Sequence, residues 1–268
     1  MRKMVITLIA LGLVVASAAF AGNLVNEGFT YTNGNLVPNN PGAPALGPWA
    51  TFSGTTTDIQ VVSNYATGIM QTPANTPDDA VPFTAQTAVV PTYYCFRAYI
   101  PCFGSTAPLP SFFVGLKDDG GATNMVAIVY VLAQGTTGGW TFGIAARTTD
   151  VQYGATPWTA QLACDTWYTI VVKYDPFGQA AWMWVDPVSD ASPSVLNVNA
   201  SKPGTAVSTV FLRQGPTASF PGSGYPGTTV WNWRVDDLSV GTSWAEACYT
   251  APVPAIGSTW GQLKSIYR

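Results

Sequence analysis

Histidine is absent from this chain of 268 residues, and glutamate occurs only twice, as Glu27 and Glu246. Without histidine, catalysis by a Ser-His-Asp or Cys-His arrangement is excluded, as are zinc sites with histidine ligands. Hydrolysis of a glycosidic bond requires two carboxyl groups across that bond. With so few glutamates, this chemistry would fall to aspartates on different strands, so the sequence disfavours a glycan-cleaving enzyme.

Charge is scarce as well. Only 9% of the residues are charged, and 11 Lys and Arg stand against 14 Asp and Glu. Nucleic-acid binding requires a basic patch, and attraction to anionic lipid requires a basic segment. The sequence has neither. A surface of this composition suits an uncharged partner, either an extracellular glycan or a neighbouring copy of the same protein.

Only the N-terminus contains a long apolar run. Residues 5–15 follow Arg2 and Lys3 and precede Ala19-Phe20-Ala21, which has the small-x-small form of a signal-peptidase site. The alternative, a membrane anchor, requires about 20 apolar residues. We therefore predict a signal peptide over residues 1–21 and a secreted or cell-surface protein with no membrane span after cleavage.

The four cysteines are Cys95, Cys102, Cys164 and Cys248. An even number in an exported chain predicts two disulfides, and four cysteines allow three pairings. We favour Cys95–Cys102, which closes a short loop, together with Cys164–Cys248, which ties the C-terminal strand to the body of the domain. A metal site is the alternative, and it requires better ligand spacing and usually histidine.

Proline and glycine interrupt the chain too often for long helices, and β-branched and aromatic runs fill the intervals. Turn sequences occur at Asp118-Asp119-Gly120-Gly121 and at Asp175-Pro176-Phe177-Gly178. The predicted strands are residues 58–62, 92–100, 111–117, 124–132, 139–146, 167–174, 180–186, 209–214 and 230–240. This pattern predicts one all-β sandwich or barrel domain over residues 22–249. Residues 250–268 form a separate tail, either flexible or a sorting or attachment segment.

Five segments carry a resemblance to a known family. They are Asn-Glu-Gly-Phe-Thr-Tyr at residues 26–31, Trp-Tyr-Thr-Ile-Val-Val-Lys-Tyr at 167–174, Ala-Trp-Met-Trp-Val-Asp-Pro at 181–187, Phe-Leu-Arg-Gln-Gly at 211–215, and Val-Asp-Asp-Leu-Ser-Val-Gly-Thr-Ser-Trp at 235–244. In this order they resemble the concanavalin A-like, laminin-G-like domains of exported bacterial proteins. The resemblance implies an antiparallel two-sheet jelly roll whose first and last strands are adjacent. Relatives of this fold bind or cleave polysaccharides, and the fold alone assigns neither role.

The resemblance also implies where a metal ion would lie. Related binding modules hold a structural calcium between an N-terminal acidic residue and an aspartate near the last strand, and Glu27 and Asp237 match these places, with Asp236 as a further candidate. Calcium takes six to eight oxygen ligands, many of them backbone carbonyls. The alternative is that Asp236 and Asp237 form a β-bulge, which would bring Trp231, Trp233 and Val235 into phase with Leu238 and Val240.

Two tryptophan pairs suggest a sugar-binding surface. Trp182 and Trp184 are two residues apart on one predicted strand, so both point to the same face, about 7 Å apart. Flat aromatic rings at this spacing can stack on neighbouring sugar rings, as they do on bases. Trp231 and Trp233 form a second pair. For both pairs the alternative is packing between the two sheets.

We therefore predict a secreted, non-enzymatic jelly roll that binds neutral polysaccharide through Trp182 and Trp184. A structural or adhesive subunit of a cell surface, matrix or filament is the second hypothesis. The low charge, the predicted disulfides and the separate tail favour it, because an exposed edge strand can accept a segment of another copy. A glycan hydrolase or lyase is the third and least favoured hypothesis.

Overall fold

The computed structural model describes residues 22–55, 58–70, 76–102, 111–118, 124–134, 139–147, 154–199, 204–214 and 231–248. The predicted signal peptide, the predicted tail and most of the Asp118–Gly121 turn lie outside these residues. The described part of the chain contains no helix with the length and hydrophobicity that a membrane span requires.

Sixteen strands and one short helix make up the described structure. In chain order they are β1 (Asn23–Glu27), β2 (Gly34–Asn35), β3 (Ala50–Ser53), β4 (Gln60–Val62), β5 (Tyr65–Met70), β6 (Asp78–Gln86), β7 (Thr92–Tyr99), β8 (Ser111–Lys117), β9 (Met125–Ala133), β10 (Trp140–Arg147), β11 (Thr156–Pro157), β12 (Trp167–Asp175), β13 (Ala180–Val185), β14 (Val195–Val198), β15 (Val207–Leu212), β16 (Trp231–Gly241) and α1 (Trp244–Ala247).

The strands form two antiparallel sheets. The nine-stranded sheet has the order β14-β13-β12-β7-β16-β5-β4-β2, with β1 also paired to β16, and the seven-stranded sheet has the order β11-β10-β9-β8-β15-β6-β3. The two sheets stack as a sandwich, and the first strand pairs with the last. This architecture confirms the predicted all-β jelly roll.

The core lies between the two sheets and is rich in aromatic side chains. Phe113 of the seven-stranded sheet contacts Phe96, Trp231 and Trp233 of the other sheet, with ring centroids 6.0–6.2 Å apart. Trp231 and Trp233 are buried. This pair therefore packs between the two sheets, which was the alternative to a role in sugar binding. Trp233 lies against Gly68 of β5, where a Cβ atom would come within 2.4 Å of the indole ring.

A bulge in β16 sets the register of the nine-stranded sheet. The pairing of β16 with β7 shifts between Asp236 and Ser239, and Asp237 has a φ of 49°. Val235, Leu238 and Val240 are all fully buried as a result. The bulge predicted from the sequence is confirmed.

The turn between β12 and β13 is also confirmed. The carboxylate of Asp175 accepts hydrogen bonds from the backbone N–H groups of Phe177 and Gly178, at 3.0 and 3.1 Å. Such a local Asx turn joins two antiparallel strands with few residues.

Two longer strands were missed, for identifiable reasons. β6 contains Pro82, which lacks a backbone N–H and argues against a central strand. On one side, however, β6 pairs with β3 only over Asp78–Ala80. Pro82 lies beyond the end of that pairing, so its missing N–H group removes no hydrogen bond to β3. β5 contains Gly68, and a glycine inside a strand weakens the strand pattern in the sequence.

The favoured disulfide pairing is wrong. The structure joins Cys102 to Cys164, with Cα atoms 4.8 Å apart. β7 and β12 are neighbours, and Tyr99 lies opposite Trp167, so Cys102, three residues after Tyr99, meets Cys164, three residues before Trp167. Cys95 lies seven residues before Cys102, a distance of about 20 Å along an extended chain, which is beyond the reach of a disulfide.

One hydrogen bond connects the centres of the two sheets. The hydroxyl of Tyr94 in β7 donates to the carbonyl of Ala127 in β9, and both residues are fully buried. Tyr94→Phe leaves that carbonyl unpaired, so we expect a loss of about 1–3 kcal/mol in the free energy of unfolding. Urea denaturation measures it.

The matched control is Tyr168→Phe. Its hydroxyl also bonds to backbone, at Ala163, but at an exposed position. Water can replace that bond, so the control should change stability by less than about 0.5 kcal/mol. Equal effects of the two substitutions would contradict the role given to Tyr94.

Candidate functional site

The candidate site lies on the outer face of the nine-stranded sheet, which points away from the seven-stranded sheet. Strand register arranges the side chains of this face in rows. One row, across β13, β12 and β7, contains Trp182, Lys173 and Tyr93. The neighbouring row, across the same three strands, contains Trp184, Val171 and Cys95. Adjacent rows are two residues apart along each strand, or about 7 Å.

Trp182 and Trp184 share this outer face, while Met183 between them is fully buried in the core. Their exposure differs, however. Trp182 is half-buried, and the ammonium group of Lys173 lies 4.7 Å from its ring centroid. Trp184 is only 6% exposed. The pair therefore does not present two open rings side by side.

Helix α1 accounts for the burial of Trp184. Trp244 packs edge-on against Trp184, with centroids 5.1 Å apart. The indole N–H of Trp184 donates to the carbonyl of Ser192 at 3.0 Å. The hydroxyl of Ser192 in turn accepts from the backbone N–H groups of Val188 and Ser189. Trp184 thus supports the helix and holds the loop that follows β13.

A pocket of about 560 Å³ lies between this loop and α1. Tyr93 and Trp244 contribute aromatic surface, and Val188 is almost fully exposed at its edge. Polar groups are also part of the lining: hydroxyl groups from Ser189, Thr242 and Ser243, and the carboxylate of Asp190. Aromatic surface beside a few polar groups is the usual composition of a ligand pocket.

Charged groups of both signs lie beside the pocket. Asp190 lies in its lining, and Lys173 lies 5.9 Å from the ring of Tyr93. Burial raises the pKa of Tyr93, and the negative charge of Asp190 raises it further. The Tyr93 hydroxyl therefore stays protonated at neutral pH and can both donate and accept a hydrogen bond.

A second aromatic group lies further along the same face. The ring of Trp167 contacts those of Tyr99 and Tyr65, at 5.4 and 6.1 Å. Arg97 lies over Trp167, and Arg234 lies over both tyrosines. Tyr93 and Tyr99 both belong to β7, so the two aromatic regions are about 20 Å apart. The outward phase of Trp167 was visible in the sequence, since it alternates with the buried Ile170 and Val172.

The predicted calcium ligands have other partners. Glu27 is buried, and its carboxylate accepts hydrogen bonds from the backbone N–H of Phe29, the hydroxyl of Tyr31 and the indole of Trp49, at 2.5–2.7 Å. Burial raises the pKa of Glu27, and these three hydrogen bonds oppose that rise. A calcium ion at Glu27 would have to displace these donors.

Asp236 and Asp237 lie beside Arg97, whose guanidinium nitrogen is 3.7 and 3.5 Å from their carboxylate oxygens. Among the described residues, the one group of three or more potential ligand side chains within 4.8 Å is Cys102, Cys164 and Asp165, and its cysteines form the disulfide. Glu27, Asp236 and Asp237 do not fit a shared calcium site in this arrangement. Calcium binding there stays a prediction.

Two further carboxylates, Asp78 and Asp79, were not singled out in the sequence. Burial raises the pKa of each to about 6. Asp78 accepts from Ser53 and from the backbone of Gln214 and lies 3.4 Å from Arg213, and Asp79 accepts from Thr51. Perturbed carboxyl groups can mark an active site. These two are almost fully buried, so in the described structure they serve the packing of β3 on β6.

Asp79 should make the free energy of unfolding of the domain depend on pH. Its folded pKa of about 6 lies above 3.8, the ordinary value for an aspartate, so the folded state holds a proton between pH 4 and 6 that unfolding releases. The contribution of Asp79 to stability is therefore fully present below pH 4 and is lost as the pH rises through about 6. Asp79→Asn should reduce this fall by about 1–3 kcal/mol in urea titrations, leaving the part due to Asp78.

The control for this prediction is the exposed Asp190→Asn, which should leave the slope unchanged. An Asp79→Asn protein with the same fall in stability between pH 4 and 6 as the parent would contradict the assignment.

Comparison with known proteins places the fold only. No family model and no curated protein matches the chain. Among solved structures, an alginate lyase in complex with alginate trisaccharide aligns with a TM-score of 0.55 and 9% identity, over 82% of this chain and 98% of the lyase.

The binding domain of botulinum neurotoxin serotype D/C aligns with a TM-score of 0.50 and 9% identity, over 83% of this chain. The chain spans about half of that domain, 49% of its length. With the two-sheet topology, these neighbours define the fold as a concanavalin A-like jelly-roll sandwich, as the resemblance implied.

Proposed function

We propose that this protein is an exported, non-enzymatic module that binds neutral polysaccharide at the pocket between α1 and the loop after β13. The observation that carries the proposal is the combination of Tyr93 and Trp244 with the polar groups Ser189, Asp190, Thr242 and Ser243 around one open pocket. Sugar rings offer an apolar face to aromatic side chains and hydroxyl groups to polar ones.

The lack of excess positive charge on this face supports a neutral ligand. Lys173 stands against Asp190 and Glu246 beside the pocket, and Arg97 stands against Asp236 and Asp237 further along the face. A polyanion would gain little attraction from such a surface. The outer face is also long enough for a chain of several sugar residues, because the group around Trp167 lies about 20 Å from Tyr93.

The extracellular setting has separate support. The N-terminal sequence has the form of a signal peptide, and the Cys102–Cys164 disulfide is typical of an oxidising compartment. Structural neighbours of this fold include a lyase bound to alginate trisaccharide and a toxin binding domain. At 9% identity they indicate only that both binding and cleavage are compatible with the architecture.

Replacement of the pocket aromatics tests the binding site. Tyr93→Ala and Trp244→Ala should each weaken binding of a neutral oligosaccharide by about 5- to 150-fold, since one stacked ring contributes about 1–3 kcal/mol in comparable stacking on bases. The oligosaccharide is chosen from a glycan array and the affinity is measured by calorimetry. Phe177→Ala is the control, because Phe177 is an exposed aromatic residue outside the pocket.

Two further measurements distinguish calcium-independent binding from calcium-dependent binding and from cleavage of the glycan. The array is run with calcium and with chelator, and we expect the same binding in both. Release of reducing ends or unsaturated sugars from the bound polysaccharide would contradict a non-enzymatic role. Binding that is unaffected by both pocket substitutions would contradict the assigned site, and an absence of binding to any neutral glycan would contradict the function.

Assembly of copies is the second candidate function, and one observation favours it. The edge strand β14 exposes Leu196 and Val198, which are 44% and 56% accessible. Apolar edge strands are sites for strand addition. The edge is partly covered, since Thr156 donates to the carbonyl of Leu196. A protein that elutes as a multimer, and as a monomer after Leu196→Lys, would support assembly over glycan binding.

A further inference from the structure

We propose that Cys95 and Cys248 form a second disulfide, which fixes helix α1 to the centre of the nine-stranded sheet. Both residues are free thiols in the structure. With Cys102 joined to Cys164, they are the remaining pair. The inference does not depend on glycan binding.

Strand register brings the two thiols together. Cys95 in β7 lies directly opposite Ser239 in β16. The hydroxyl of Ser239 donates to the carbonyl of Ala247, a buried bond to the residue before Cys248. Cross-strand neighbours have Cα atoms about 4.5–5.5 Å apart, so this hydrogen bond holds Cys248 above Cys95.

Packing also places Cys248 beside Cys95. Cys95, Val171 and Trp184 form a small buried cluster, and Cys248 packs against it. A hydrogen bond to Cys95 is the main cause that raises the pKa of the Cys248 thiol, and burial adds to it. The polypeptide just before Cys248 is fixed as well, since the Cys248 N–H donates to the carbonyl of Trp244 at 2.9 Å.

The chemistry is thiol–disulfide exchange with an external disulfide, such as oxidised glutathione or a disulfide oxidoreductase. Cys248 is the more exposed of the two thiols. Its thiolate, formed by loss of the proton to solvent, attacks the external disulfide and releases one thiolate. Cys95 then loses its proton and attacks the sulfur of Cys248, and the second external thiolate leaves. Two protein thiols and one disulfide give one protein disulfide and two external thiols.

Thiol mapping tests the proposal on the full chain. The purified protein is exposed to oxidised glutathione, unfolded without reductant, alkylated and digested for mass spectrometry. We expect no alkylated cysteine and a peptide pair joined through Cys95 and Cys248. In Cys248→Ser, the matched control, Cys95 should become alkylated while the Cys102–Cys164 bond stays intact. Alkylation of both Cys95 and Cys248, or glutathione retained on Cys248 without transfer to Cys95, would overturn the proposal.

A second measurement isolates the new bond. The variant with Cys102→Ser and Cys164→Ser retains only Cys95 and Cys248, which enclose a loop of about 150 residues. A reductant should lower its melting temperature by about 5–15 °C, as expected for a native disulfide in a domain of this size. An unchanged melting temperature contradicts the bond. If this variant does not fold, the mapping of the parent protein decides alone.

Discussion

The pairing of β16 with its neighbours is the constraint on which the rest of the structure depends. β16 pairs with β7 on one side, and on the other with β5 along its first half and β1 along its second. The bulge at Asp236 and Asp237 keeps apolar side chains in the core on both halves. Without it, Leu238 and Val240 would point to solvent, because a shift of one residue exchanges the two faces of a strand.

The same strand determines what covers the outer face. β16 leads directly into α1, which folds back over the row that contains Trp184 and Cys95. The helix therefore divides the face into a pocket at one end and the aromatic group around Trp167 at the other. Trp244 has two roles, since it packs against Trp184 beneath the helix and also lines the pocket. The candidate site is thus a consequence of how the last strand ends.

Alternation along single strands was readable from the sequence, and contacts between distant segments were not. The shared face of Trp182 and Trp184 follows from period two alone. The burial of Trp184 depends on Trp244, sixty residues away, which no local pattern reveals. The disulfide pairing failed for the same reason, because it depends on β7 and β12 being neighbours. Glu27 was singled out as a candidate calcium ligand, but its hydrogen-bond partner Trp49 lies in a segment without strand periodicity.

Hydrogen–deuterium exchange with and without a bound neutral oligosaccharide tests the central claim most directly, because it locates the ligand without altering the protein. The account predicts new protection in α1, in the loop after β13 and in β7 around Tyr93, with none on the seven-stranded sheet. Protection confined to the seven-stranded sheet, or spread evenly over the domain, would contradict the claim that the pocket beside α1 holds the glycan.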